Sequence, residues 1–353
     1  MRFYDALQLN PKDLKAKIDS AETLEQKRKY KVARWVRAIL LVAFCILLIT
    51  PVVTLFGQEN SPVAVALICI LLGLRFVDFG YCIEDSLFNL GVVFFLLIAG
   101  PAAAGAVHPL IGMVIHFFSF FIILLMTSEK PEMGNGGLYA FSYIFIVGNP
   151  VSGDLLIKRW LLMACGYVIC ATVFFFKHCS KHRHIKFRDI VSKFHLSKEN
   201  NQWQLQLALG VSLFLGIGSM FSMERLIWAG FACASLLGCY SSYASTKERW
   251  ADRLLGVITG SAMFAVLFTI VPENYHFIFG PLGGLCLGFC SEYRHQTVMN
   301  CFGALLLSTA LYGLSGSVML RIVNNFIGAT FGYFFFVFYR MMVNRHFNSA
   351  EKE

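Results

Sequence analysis

The chain has 353 residues, 57% of them hydrophobic and only 14% charged, with a mean hydropathy of +0.63. An ordinary soluble domain carries about 25% charged residues, so this chain has too little polar surface to cover a water-soluble core of its size. The formal net charge of +9 would suit a nucleic-acid binder, but in so apolar a chain it reports orientation in a membrane, and no nucleic-acid partner is expected.

The first stretch, up to about Arg37, is polar and basic, with Lys12, Lys15, Lys17, Lys27, Arg28, Lys29, Lys31 and Arg34. It lacks the apolar core and small-residue cleavage site of a signal peptide. Twelve apolar segments follow, most of them long enough to cross about 30 Å of hydrocarbon as helices. The first six lie at about 38–56, 62–77, 87–105, 109–126, 137–149 and 158–176. After a basic linker come six more, at about 203–221, 225–243, 253–271, 275–290, 298–318 and 321–339. The fifth and tenth are short or interrupted by Gly and Pro, and a count of ten spans stays open if they re-enter the membrane from one side. Lys/Arg cluster in the N-terminal segment, in the linker (Lys177, Lys181, Arg183, Lys186, Arg188, Lys193, Lys198) and near the C-terminus (Arg340, Arg345, Lys352). These regions share a side, and the positive-inside rule makes it cytoplasmic.

The halves repeat. Leu71-Leu72-Gly73 and Gly91 correspond to Leu236-Leu237-Gly238 and Gly256, Ser128-Glu129 to Ser291-Glu292, and Arg159 with Gly166 to Arg321 with Gly328. The offset stays near about 165 residues, as an internal duplication requires. Six spans per half with both halves starting inside make a parallel repeat. The expected fold is therefore an all-α, polytopic transmembrane helix bundle of about 12 helices, built as two six-helix parallel repeats. Its parts are a basic cytoplasmic segment at 1–37, repeats at 38–176 and 203–340, a basic cytoplasmic linker at 177–202 and a cytoplasmic tail at 341–353.

Chemistry-bearing residues are few. Gly256 and Gly260, and Gly328 and Gly332, stand four apart, the spacing that lets membrane helices approach closely. In Glu248-Arg249-Trp250-Ala251-Asp252-Arg253, Asp252 shares a face with Gly256 and Gly260, while Arg249 and Arg253 share a neighbouring one. Such groups either snorkel to the headgroups or form an Arg/Asp cluster at the mouth of a pathway. His116, near the middle of the fourth segment, is either a neutral hydrogen-bonded histidine or a proton relay. Glu129 and Glu292, at equivalent segment ends, are further candidates for a proton site. Cys179, His182 and His184 in the linker match no common zinc spacing, and the basic strip around them suits anionic headgroups better. The eleven cysteines lie mostly in apolar runs and suggest no disulfide framework. No P-loop, H-E-x-x-H or G-x-S-x-G pattern occurs, so neither an enzyme nor a cofactor or metal site is expected.

Trp228, Arg253-Leu-Leu-Gly256-Val-Ile-Thr-Gly260, Tyr293-Arg-His-Gln-Thr297 and Arg321-Ile-Val-Asn-Asn-Phe-Ile-Gly328 together resemble the fusaric acid resistance (FUSC) family, related to bacterial aromatic acid exporters. The resemblance covers about 205–340 well and about 60–176 loosely, through Gly148-Asn-Pro150, Arg159 and Gly166. Val257 and Asn324 or Asn325 stand where the family carries threonine. The large cytoplasmic domain that follows the membrane helices in many members has no counterpart in the similarity. The resemblance implies an exporter of small organic, often aromatic, carboxylates in a bacterial inner membrane, driven by a proton gradient. On that reading Arg253, Arg321, Arg249 and Arg159 attract the anion and Asp252, Glu292, Glu129 or His116 couples the proton. The partners are the lipid bilayer and the organic anion, with room for a homo-oligomer or a membrane partner protein. A non-transporting membrane scaffold for a cell-envelope or lipid-handling complex is the other class of function that the residues leave open.

Overall fold

The computed structural model describes residues 3–240 and 243–350, with the side chains of 243 and 346–350 left undescribed. The first two residues of the basic segment, the end of the eighth apolar segment at 241–242 and the last three residues of the tail lie outside the described residues.

Among the described residues the chain is helical throughout: α1 (Phe3–Gln8), α2 (Pro11–Asp19), α3 (Leu24–Phe56), α4 (Ser61–Leu74), α5 (Ile83–Gly105), α6 (Pro109–Thr127), α7 (Asn135–Val147), α8 (Asp154–His178), α9 (Phe187–Ser192), α10 (Glu199–Met220), α11 (Leu226–Leu237), α12 (Tyr243–Ile270), α13 (Phe279–Leu287) and α14 (Tyr293–Ala350). Seven of these, α3, α5, α6, α8, α10, α12 and α14, are long and apolar enough to cross a membrane. Starts follow local chemistry. Asn10 caps α2 by accepting from the Asp13 N–H at 2.8 Å with Pro11 in the first turn, and Pro62 and Pro109 open α4 and α6.

Length separates two kinds of helix. At 1.5 Å per residue, α4, α7 and α11 span only about 21, 20 and 18 Å, less than the hydrocarbon thickness. Only α7 was marked as short by its sequence; α4 and α11 end early at Leu74 and Leu237. The tenth segment becomes a 3-10 turn (Glu273–Ile278) followed by α13, whose 9 residues rise about 14 Å.

The chain clusters into two compact units. The larger comprises 48–246 and 327–353. In it α7 packs on α4, α5, α6 and α11, while α6 packs on α5 and α10. Tyr139, Tyr143 and Phe120 are fully buried there. The smaller comprises 1–47 and 247–326. Its core joins Val257 and Phe264 of α12, Phe279 of α13 and Cys301, Phe302 and Leu305 of α14, with Leu314, Val318 and Ile322 packed on it. A second cluster in this unit seats Ala6 and Leu14 against Ala33 of α3.

The break in α14 decides the geometry of the smaller unit. Gly313 has φ 65° and ψ 178°, outside helical space and open to glycine without a Cβ penalty. Tyr293 and Asn325 both bond to Arg253, yet on one straight helix their 32 steps would separate them by about 48 Å. The chain therefore folds back at Gly313 and divides α14 into two arms. The sequence placed this break at about 319–320; it lies nearer the N-terminus, at Gly313, where the absence of a Cβ admits the positive φ. Arg321 is consequently not at a helix start but about two turns inside the second arm.

Candidate functional site

Arg253 projects from α12 and is 8% exposed. Its Nε donates to Asn325 Oδ1 at 3.0 Å and its Nη1 to Tyr293 Oη at 3.2 Å, so one guanidinium links both arms of α14 to α12. Asn325 in turn donates from Nδ2 to the Arg321 carbonyl at 2.8 Å. The guanidinium of Arg249, one turn before Arg253, lies 3.7 Å from the centroid of the Tyr293 ring, a cation–π contact. Arg253, Arg321, Asn324 and Asn325 are all buried. Among the described residues Arg253 forms no ion pair with a carboxylate. A charged group in a membrane-crossing helix is costly, and here its bonded neighbours are neutral, which leaves a positive site able to accept an anion.

The close fit around this site depends on the absence of two side chains. A Cβ on Gly256 would stand 2.8 Å from the Arg294 carbonyl and 2.8 Å from Thr297 Cβ, and one on Gly260 2.6 Å from the Val298 carbonyl. α12 thus meets the first arm of α14 backbone to backbone, one turn beyond Arg253. In the larger unit a Cβ on Gly332 would stand 3.0 Å from the Cys233 carbonyl, and one on Gly328 would overlap the Ala229 carbonyl.

Arg159 is the counterexample. It belongs to α8 and is also buried, but every nitrogen is engaged. Nε donates to Asn60 Oδ1 at 2.9 Å, Nη1 to the Asn149 carbonyl at 2.8 Å and Nη2 to the Glu59 carbonyl at 2.9 Å. It ties α8 to the chain before α4 and the chain after α7, and no donating nitrogen is left over.

The acid and base candidates are separated. Asp252 Oδ1 pairs with Arg294 Nη2 at 2.8 Å and accepts from its Nε at 2.9 Å. Glu292 is more than half exposed and pairs with Lys15 at 3.3 Å and with His295 at 3.4 Å. His116 is buried in α6 and its Nδ1 bonds Tyr143 Oη at 2.9 Å, and no charged partner accompanies it among the described residues. Glu129 lies in the loop after α6. Burial pushes its carboxyl above the usual range, against the charges of Lys198, Lys130 and Lys193. Tyr293 stands in the sequence only as part of a family motif, with no role of its own, and Asn60 is not singled out there; both sit beside helix starts, where a polar residue ordinarily reads as a cap or a headgroup contact. Asn325 was visible as a polar residue in an apolar run.

The linker is fastened rather than free. Lys181 and His182 reach Asp78 at 3.1 and 3.0 Å, the Cys82 N–H donates to the Ile185 carbonyl at 2.7 Å, and the Phe187 N–H donates to Asp85 at 2.8 Å. Burial raises the Asp78 carboxyl, but the hydrogen bond and charge of Lys181, the charge of His182 and the Gly80 N–H outweigh it and hold the group below the usual range.

The family model described as fusaric acid resistance protein-like matches residues 207–335. This is the family that the sequence resembles. The matched stretch contains Arg249, Asp252, Arg253, Tyr293, Arg321 and Asn325, and excludes Arg159, His116 and Glu129. The family is of membrane-transporter type. No curated protein and no solved structure matches the chain.

Proposed function

We propose that the protein is a proton-coupled exporter of small organic carboxylates, aromatic ones among them, in a bacterial inner membrane with both termini cytoplasmic. The observation that carries this reading is Arg253, a buried guanidinium held by Asn325 and Tyr293 without a carboxylate. The substrate carboxylate would take up the guanidinium face that these neutral partners leave, with the Arg249–Tyr293 pair at its side and Arg321 adding positive charge. A charge-assisted, two-pronged contact of this kind is what arginine offers a carboxylate. Asp252 is the nearest candidate for proton coupling: it neighbours Arg253 in sequence and is held by Arg294, so protonation would release that pair as the anion moves. The two halves would act as parallel repeats that rock to alternate access. Support for the repeat comes from matching contacts: Gly166 of α8 meets Leu67 of α4, and Gly328 of α14 meets Ala229 of α11, with Arg159 and Arg321 each seven residues earlier.

The test is accumulation of labelled aromatic and aliphatic carboxylates in cells with and without the protein, each with and without a protonophore. Lower accumulation that the protonophore abolishes is the expected result. Equal accumulation across the panel, with the protein present in the membrane, would overturn the transport reading and favour a scaffold.

A further inference from the structure

α10 begins Glu199-Asn-Asn-Gln202-Trp203-Gln204-Leu-Gln206, an unusually polar start for a helix that crosses a membrane. Part of that polarity faces a narrow, partly open cleft between the first turns of α10 and a late stretch of α14. Its lining includes Gln202, Trp203, Gln206, Phe336, Tyr339 and Arg340. Trp203 is 5% exposed and Gln206 4%. Trp203 Nε1 and Gln206 Nε2 are buried and, among the described residues, neither has an acceptor. A buried N–H without an acceptor is unfavourable, so two at one cleft point to something that supplies oxygen atoms. The charge beside them is Arg340, exposed, with its guanidinium over the Phe336 ring at 5.4 Å. The one carboxylate on the lining, Glu199, accepts from Tyr240 Oη at 3.1 Å.

We propose that this cleft binds the phosphate of an anionic phospholipid headgroup. Two neutral N–H donors and one guanidinium match an oxyanion, and Glu199, the carboxylate on the lining, is engaged by the Tyr240 hydroxyl. The innermost space admits a single oxygen-sized group, which suits a phosphate oxygen whose diester continues outside. Phospholipid is favoured over free phosphate because the cleft lies between the start of α10 and the last turns of α14, two helices long and apolar enough to cross a membrane, and it is lined by Trp203 and Tyr339, residue types that favour the headgroup region. Apolar Phe336 and Val343 border the site, and the basic linker with Lys193 and Lys198 immediately precedes it. The site is independent of Arg253 and of transport.

The experiment uses the full-length protein in nanodiscs of phosphatidylcholine alone or mixed with phosphatidylglycerol, with retained lipids counted by native mass spectrometry after gentle release. Wild-type protein should retain phosphatidylglycerol in preference to phosphatidylcholine. Trp203→Phe, which keeps the ring and removes the N–H, and Gln206→Leu should each lower that retention, and Arg340→Gln should lower it about tenfold. Circular dichroism and the melting temperature check that each variant is folded, and if Gln206→Leu fails that check the other two decide. Unchanged phosphatidylglycerol retention in folded Trp203→Phe and Arg340→Gln would overturn the proposal. Displacement of the lipid by millimolar inorganic phosphate would also overturn it, by assigning the cleft to the free ion, and no retained anionic lipid at all would assign the space to water.

Discussion

Arg159 and Arg253 are both buried arginines on apolar helices, one in each compact unit, and both bond an asparagine side chain. They differ in what remains. Arg159 spends three nitrogens on Asn60, Asn149 and Glu59 and closes a gap between chain segments. Arg253 spends Nε and Nη1 on Asn325 and Tyr293, and among the described residues Nη2 has no acceptor. The role of a buried cation is thus read from the acceptors it touches, not from its burial. Satisfied by backbone carbonyls it is a strut; held by neutral side chains in the stretch that the family model matches, it is the residue to test for anion recognition.

The comparison makes graded predictions. The largest effect on stability is expected for Arg159→Ala, which strands the buried Asn60 amide oxygen and two part-buried carbonyls. The loss should be about 3 kcal/mol or more, seen as a sharp fall in melting temperature and yield in detergent. Gly256→Leu should follow, at about 2 kcal/mol, because its side chain meets the Arg294 carbonyl; Gly303→Ala, with open space around it, is the matched control. Arg253→Gln should cost less stability than Arg159→Ala, since an amide can still bond Asn325 or Tyr293, while reducing transport at least about tenfold. A variant pair that behaved alike in both readouts would erase the distinction between strut and site.

The smallest effect is expected at the linker. Asp78 is held below the usual carboxylate range, so its contribution is fully present above the unfolded value of about 3.9 and is lost as pH falls through the lower folded value. Asp78→Asn should therefore speed proteolysis of residues 177–198 at neutral pH, by an amount corresponding to about 1 kcal/mol. The wild-type linker should lose protection only in strong acid. Protection of the wild type that already faded near neutral pH would contradict a fastening held by the Asp78 carboxylate and Lys181.

Much of the fold was legible in the sequence because apolar runs of membrane length are strong signals, and each of the twelve segments contains a helix. The errors came where length and hydropathy say little. α4 and α11 looked like full spans because the residues beyond Leu74 and Leu237 are apolar enough, although the chain turns there. The break in α14 was misplaced because Gly313 lies within an apolar run rather than beside a polar one. The family was legible from Arg253, Gly256, Gly260, Arg321 and Gly328, and the family model matches the stretch that holds them. The partners of Arg253 were harder to see. Tyr293 is forty residues from Arg253 and Asn325 seventy-two, and no helical periodicity reports a meeting made by a fold-back at one glycine.

The central claim is that Arg253 recognises the transported anion. Its most direct test is carboxylate efflux per molecule of protein in the membrane, measured for wild type, Arg253→Gln and Arg253→Lys, with the melting temperature taken on the same preparations. We expect Arg253→Gln to lose efflux while remaining folded, and Arg253→Lys, which keeps the charge without the planar fork, to recover part of it. A folded Arg253→Gln protein with undiminished, proton-dependent efflux would contradict the account.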